Sequence, residues 1–122
     1  METHSISDTL YDQIFAALLD SWSLQTSSKW TVDNPACGQC GVTALVVQDR
    51  LGGEILKTMT VGGWHYYNRV NNKVYDFTAS QFTGEIEYLH VLSSRADAFS
   101  DTNQEQYEAL SSRMAKLLDR QK

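Results

Sequence analysis

The chain has 122 residues, a hydrophobic fraction of 42%, and ten basic against fifteen acidic side chains for a formal charge of -5. This size and apolar content fit one domain over residues 1–122 around a single core, and the scattered basic residues form no stripe to track a phosphate backbone. No apolar run nears the roughly 20 residues needed to cross a bilayer, and the opening METHSISDTL has neither the positive n-region nor the apolar h-region of a secretory leader; the expectation is a cytoplasmic protein with no nucleic-acid or membrane partner.

Leu10, Tyr11, Ile14, Phe15, Leu18, Leu19 and Trp22 recur at helical spacing, with Ser5 or Ser7 available as a cap. The stretch SLQTSSKWTVDNPACG is polar and loop-like, and Pro35 holds Asn34 in an extended conformation. A second helix is predicted to start near Gly38 to Cys40 and to stop at the pair Gly52–Gly53, which favours a helix end. The β-branched Val42, Thr43, Val46 and Val47 argue for a strand, but the glycine stop fits a helix better. EILKTM, WHYYNRV and KVYDFT then read as short antiparallel strands, the last two joined by a tight turn at Asn71–Asn72. A further strand is expected around Ile86 to Val91. Thr102 and Glu105 form a capping box ahead of a closing helix. Its apolar face is Tyr107, Leu110, Met114, Leu117 and Leu118, and its basic end, Arg113 to Lys122, complements the helix dipole.

Cys37 and Cys40, three residues apart in NPACGQCGVTALVVQD, carry the chemistry that has to be decided. A disulfide framework is excluded, because a three-residue loop gives little entropic stabilisation and a reducing compartment keeps thiols free. A thioredoxin-like CxxC needs a strand before the motif and a cis-proline opposite it; WTVDNPA is a poor strand, and Pro35, the single proline, lies upstream. A zinc site needs two more ligands, and only His4, His65 and His90 supply imidazoles, with no second paired motif. The bland alternative is a pair of small structural thiols.

A nucleophile at a helix start needs a histidine and an orienting carboxylate or amide. Helix N-terminus and imidazolium together would lower the thiol pKa well below about 8.5. With Asn71–Asn72 as the turn, Val70 pairs with Lys73 and Arg69 with Val74; continued, the register sets Tyr67 opposite Asp76 and His65 opposite Thr78. His65 and Asp76 then face the same side as diagonal neighbours, whereas a three-residue loop would put Asp76 behind the sheet.

The order of a cysteine opening a helix, a histidine on a strand and an acid on the next resembles that of papain-like and transglutaminase-like cysteine enzymes. More closely, NPACGQCGVTALVVQDRLGGEILKT, GWHYYNRVNNKVYDFTASQF and the tryptophan in SKWTVDNPA resemble the small bacterial YunG-like family over roughly Trp30 to Phe82. The resemblance implies an α+β fold with a minimal papain-like core, the nucleophile helix packed on a small antiparallel sheet and flanked by N- and C-terminal helices. It implies Cys40 as nucleophile, His65 as base and Asp76 as orienter, acting on an amide- or thioester-containing substrate with no metal or cofactor. Cys40 is chosen because it abuts the apolar helix; Cys37 is a bystander or a redox lock. Asn34, six residues upstream, and Gln39 are candidates for the oxyanion donor, with Trp30 and Trp64 as aromatic alternatives. His90 has no recognisable partner, Asn68 is expected to fix the hairpin, and Asp76 alternatively only bonds the turn FTAS. Other functions compatible with these residues are a non-catalytic binding domain on the same scaffold and a Cys37/Cys40 thiol redox protein.

Overall fold

A computed structural model describes residues 7–119; His4, Ser5 and the basic residues Arg120 and Lys122 lie outside them. The fold is α+β, with the order α1 (Asp8–Ser21), α2 (Cys40–Leu51), β1 (Glu54–Thr60), β2 (Gly63–Val70), β3 (Lys73–Tyr75), β4 (Val91–Leu92), α3 (Arg95–Phe99) and α4 (Gln104–Asp119). The sheet runs β3-β2-β1-β4 and is antiparallel throughout.

α2 lies between the sheet and the α1–α4 pair. Val42, Val46 and Val47 pack with Ile14, Leu18, Trp22, Leu110 and Met114 on one side, while Ala44 and Leu45 pack with Ile55, Tyr66 and Ala98 on the other. Every residue from Cys40 to Val47 is buried, which settles the helix-or-strand conflict physically. A β-branched residue costs a helix roughly half a kcal/mol of propensity, whereas burying each such side chain contributes about 1.5–3 kcal/mol. Burial wins, and the glycine pair sets the end, with Gly52 donating its N–H to Gln48 and both glycines at positive φ. Trp22 Nε1 donates to Thr43 Oγ1 at 3.0 Å, pinning the end of α1 onto α2.

Ser7 is the cap of α1, its side chain accepting from the Leu10 amide. Within the predicted apolar set Ile14, Leu18 and Trp22 are buried, whereas Leu19 is exposed. α4 is capped by Asn103, whose Oδ1 accepts from Gln106 N at 2.8 Å, while Thr102 instead bonds the Gln106 side chain. The Thr102–Glu105 box is therefore corrected by one position. Arg113 donates to Ser21 O and Ser23 Oγ, tying α4 to the end of α1.

Asn71 and Asn72 have φ of 52° and 71°, and Val70–Lys73 and Arg69–Val74 pair as the turn requires. β3 leaves the ladder after Tyr75, opposite Asn68. The strand expected from Ile86 to Val91 is reduced to Val91–Leu92. Ahead of it the chain lies along β1 through Thr58, whose hydroxyl donates to Glu87 O and accepts from Leu89 N. These side-chain bonds replace a backbone ladder. Asn68 does not fix the hairpin; its Nδ2 donates to Ala44 O and couples β2 to α2.

Candidate functional site

β2 presents its two faces to different layers. Tyr66 and Asn68 meet α2, while His65 and Tyr67 meet the returning segment that carries Phe82, Tyr88 and His90. On that face His65 Nε2 lies 2.6 Å from Asp76 Oδ2, and the imidazole is 1% exposed. Asp76 is held in turn. Tyr88 Oη donates to Oδ2 at 2.7 Å, and the Thr78 amide and hydroxyl donate to Oδ1 at 3.2 and 3.3 Å. Burial, followed by the Asp76 carboxylate, pushes the Tyr88 pKa up, so the phenol stays a donor. Phe82 meets the imidazole edge-on at 4.8 Å and Tyr67 lies roughly parallel to it at 5.7 Å. His65 Nδ1 is buried without a hydrogen-bond partner. With Nε2 turned to a carboxylate, Nδ1 is the nitrogen that would exchange a proton.

Cys40 is the first residue of α2 and is 7% exposed. It and His65 line one cavity of about 160 Å³ with Cys37, Trp64, Gln81 and Asp101. The N-terminal position that should favour a thiolate is overridden. The sulfur donates to Asp101 Oδ2 at 3.5 Å, and the same oxygen accepts the Gly41 amide at 3.1 Å. Two like charges at that separation repel by roughly 5 kcal/mol at an effective dielectric of 20, before solvent screening. A helix N-terminus contributes about 0.3–2 kcal/mol in the opposite sense. Desolvation and Asp101 accordingly push the Cys40 pKa up to about 12, against a smaller lowering contribution from the Tyr66 backbone N–H. The expectation of a lowered thiol pKa is corrected: at rest Cys40 is a thiol paired with a carboxylate.

The sequence pointed to Cys40, His65 and Asp76 but missed Asp101, which the turn between α3 and α4 delivers 61 residues after Cys40. Asp101 is an exposed residue whose Oδ2 is turned inward, and withdrawal of the carboxylate from water pushes its pKa up. A trace was available in Gly41. A Cβ there would stand 2.7 Å from Asp101 Oδ2 and 2.8 Å from Ala98 O, so the turn reaches α2 only because residue 41 has no side chain. α3 itself was missed, although Ser94 caps it by accepting from Asp97 N, an S-x-x-D signal.

The expected oxyanion donors are placed elsewhere. Asn34 Nδ2 donates to Gln81 O, Gln39 is fully buried with its Oε1 accepting from Thr26, and neither lines the cavity. Gln81 does, and its Nε2 is buried without a partner while its Oε1 accepts from Gly38 N. Trp64 is half exposed at the cavity, and Trp30 Nε1 is buried unpaired. His90 has a partner after all: Tyr67 Oη accepts its amide and lies 2.9 Å from its Nδ1. Cys37 and Cys40 are both free thiols. Among the described residues no group of three or more His, Cys, Asp or Glu side chains is arranged to hold a metal ion, and no helix is long and apolar enough to cross a membrane.

The family described as "YunG protein" matches residues 10–119. The chain is 59% identical over 93 residues to "Uncharacterized protein YunG" of Bacillus subtilis (strain 168), a match covering 76% of this chain and 81% of that protein. No solved structure matches the chain.

Proposed function

The chain belongs to the YunG family, and from that premise we propose that it is a cysteine-dependent acyl-transfer enzyme with a minimal papain-like arrangement of Cys40, His65 and Asp76. The observation that carries this reading is the unpartnered Nδ1 of His65, on a ring anchored through Nε2 to Asp76 and lining the same cavity as Cys40. A buried histidine kept only for packing has no need to leave one nitrogen unsatisfied at a cost of about 1–3 kcal/mol.

In the proposed reaction the Cys40 thiol proton passes to His65 Nδ1 as the sulfur attacks an amide or thioester carbonyl carbon. The tetrahedral oxyanion is received by the N-terminal amides of α2 and the Nε2 of Gln81. Collapse breaks the bond to the amine or thiol, which leaves with the proton from His65, and a thioester to Cys40 remains. Water or an amine, deprotonated by His65, then releases the acyl group and restores the thiol. Asp76 keeps the proton on Nε2 and stabilises the imidazolium.

The high resting pKa of Cys40 favours a second reading, a binding domain with an inert thiol. Incubation with the acetyl thioester of N-acetylcysteamine, followed by intact-mass and peptide mass spectrometry, separates the two. The enzyme reading expects a single acetyl group on Cys40, formed about a hundredfold more slowly in His65→Ala, within the usual range for a general base. No acetylation of Cys40, or the same rate without His65, would leave the binding-domain reading.

A further inference from the structure

We propose that Asp101 is a latch on the nucleophile: its Oδ2 holds the Cys40 thiol and fills the anion position at the start of α2, so an acyl substrate must displace it before attack. This rests on the reading of Cys40 as the nucleophile. One carboxylate oxygen takes both the thiol, at 3.5 Å, and the Gly41 N–H, at 3.1 Å. The amides that would receive an oxyanion are those at the start of this helix, so a carboxylate on one of them competes with the substrate for the same position.

The turn that carries Asp101 is tailored to that contact. Asp101 N donates to Ala98 O, Thr102 N to Phe99 O and Ser100 Oγ to Asp97 O, which fixes the corner. Ala98 is fully buried in the cluster that contains Cys40. Gly41 supplies the space, because any Cβ at that position would collide with both Asp101 and the Ala98 carbonyl. The middle of α3 is held to the sheet through the Lys57–Asp97 ion pair at 2.7 Å.

The groups around the pair come from every neighbouring element. Lys29 and Cys37 lie on the loop before α2, His65 and Tyr66 on β2, and Asp76 beyond β3. Burial pushes the Asp101 pKa up, and the Cys40 thiol, the Gly41 amide and Lys29 act in the opposite sense, favouring the ionised carboxylate that competes for the anion position. A substrate oxygen arriving at α2 therefore releases the thiol from the carboxylate, and the unpartnered Nδ1 of His65, a residue of the same cavity, is the acceptor the proposed reaction assigns to its proton. Moving the α3–α4 corner away from α2 would do the same.

The test is iodoacetamide alkylation of Cys40 between pH 6 and 10, site-resolved by fragment mass spectrometry, in the native chain, Asp101→Asn and Asp101→Asn/His65→Ala. Cys37 in the same peptide serves as the internal reference. Asp101→Asn keeps an acceptor for Gly41 and removes the charge. The latch expects Cys40 to react at least about tenfold faster throughout pH 7 to 9, as a thiol pKa lowered by about a unit or more requires, while Cys37 is unchanged. An unchanged or slower reaction would overturn it. Asp101→Ser takes the place of the asparagine variant should the latter not fold, as judged by circular dichroism. The underlying enzyme reading fails separately: a faster Cys40 in Asp101→Asn that is indifferent to His65 and accepts no acetyl group would keep the latch as a contact and remove the acyl transfer.

Discussion

His65 Nε2 and Asp76 Oδ2 lie 2.6 Å apart across a hairpin whose two-residue turn is Asn71–Asn72. The contact is the centre of a saturated set, since the same carboxylate accepts from Tyr88 Oη and from the amide and hydroxyl of Thr78. Asp76→Ala strips the acceptor from all of these and should lower stability by about 2–4 kcal/mol, as expected when several donors in a largely buried site lose their partner. Asp76→Asn keeps one carbonyl oxygen and should cost less. Urea unfolding of the three proteins gives the ranking; a loss below about half a kcal/mol in Asp76→Ala would mean the network carries no weight.

Gly41→Ala sets two effects against each other. Alanine favours a helix by about 1 kcal/mol over glycine, but its Cβ would meet Asp101 Oδ2 at 2.7 Å and Ala98 O at 2.8 Å. Overpacking of this kind costs about 1–3 kcal/mol, and backbone cannot yield as a flexible side-chain tip can. Net destabilisation is expected, together with faster alkylation of Cys40 as the Asp101 turn is pushed off. A higher melting temperature would show that the corner moves freely.

The turn makes an independent prediction. Asn72 sits at φ of 71°, where asparagine and glycine are tolerated and β-branched residues are not. Asn72→Gly should leave stability within about half a kcal/mol of the native value, whereas Asn72→Val should cost about 1–2 kcal/mol. Thermal unfolding of the two variants measures the difference, and equal values would contradict the positive-φ geometry.

Alkaline stability follows from Cys40. Its pKa rises from an ordinary value near 9 to about 12 in the folded chain, so between these values the unfolded chain has released a proton that the folded chain keeps. The folded state binds more protons there, and the slope of stability against pH is negative. The contribution is fully present below pH 9 and is lost progressively as pH climbs toward 12. Cys40→Ala lowers the whole curve through its cavity, at every pH alike, but should flatten the decline between pH 9 and 11. Parallel curves for the two proteins would refute the raised thiol.

What the sequence disclosed depended on distance along the chain. The periodicity of α1, the glycine stop after α2 and the parity of the Asn71–Asn72 hairpin are local, and each was readable from a dozen residues or fewer. That parity brings His65 and Asp76 to one face, even though β3 stops at Tyr75 and Asp76 itself lies beyond the ladder. The readings that failed concern non-local partners. Tyr67 meets His90 across 23 residues, Asn68 meets Ala44 across 24, and Asp101 meets Cys40 across 61. None of these leaves a periodic signature. The segment from Ile86 to Val91 shows the same limit: its composition suits a strand, but Thr58 provides its hydrogen bonds through a side chain.

The separation of Cys40 from Asp101 has a consequence during synthesis. A ribosome adding about 5–20 residues per second needs roughly 3–12 s to travel from residue 40 to residue 101. The Asn71–Asn72 hairpin, able to close within about 1–10 μs once made, is complete well inside that interval. Pulse alkylation of nascent chains should therefore label Cys40 readily until residue 101 has left the exit tunnel and weakly afterwards; labelling that never changes would argue against it. Each newly made molecule thus passes through a window of seconds in which its more buried thiol is open to the oxidants and electrophiles of its surroundings, and the last third of the chain closes that window.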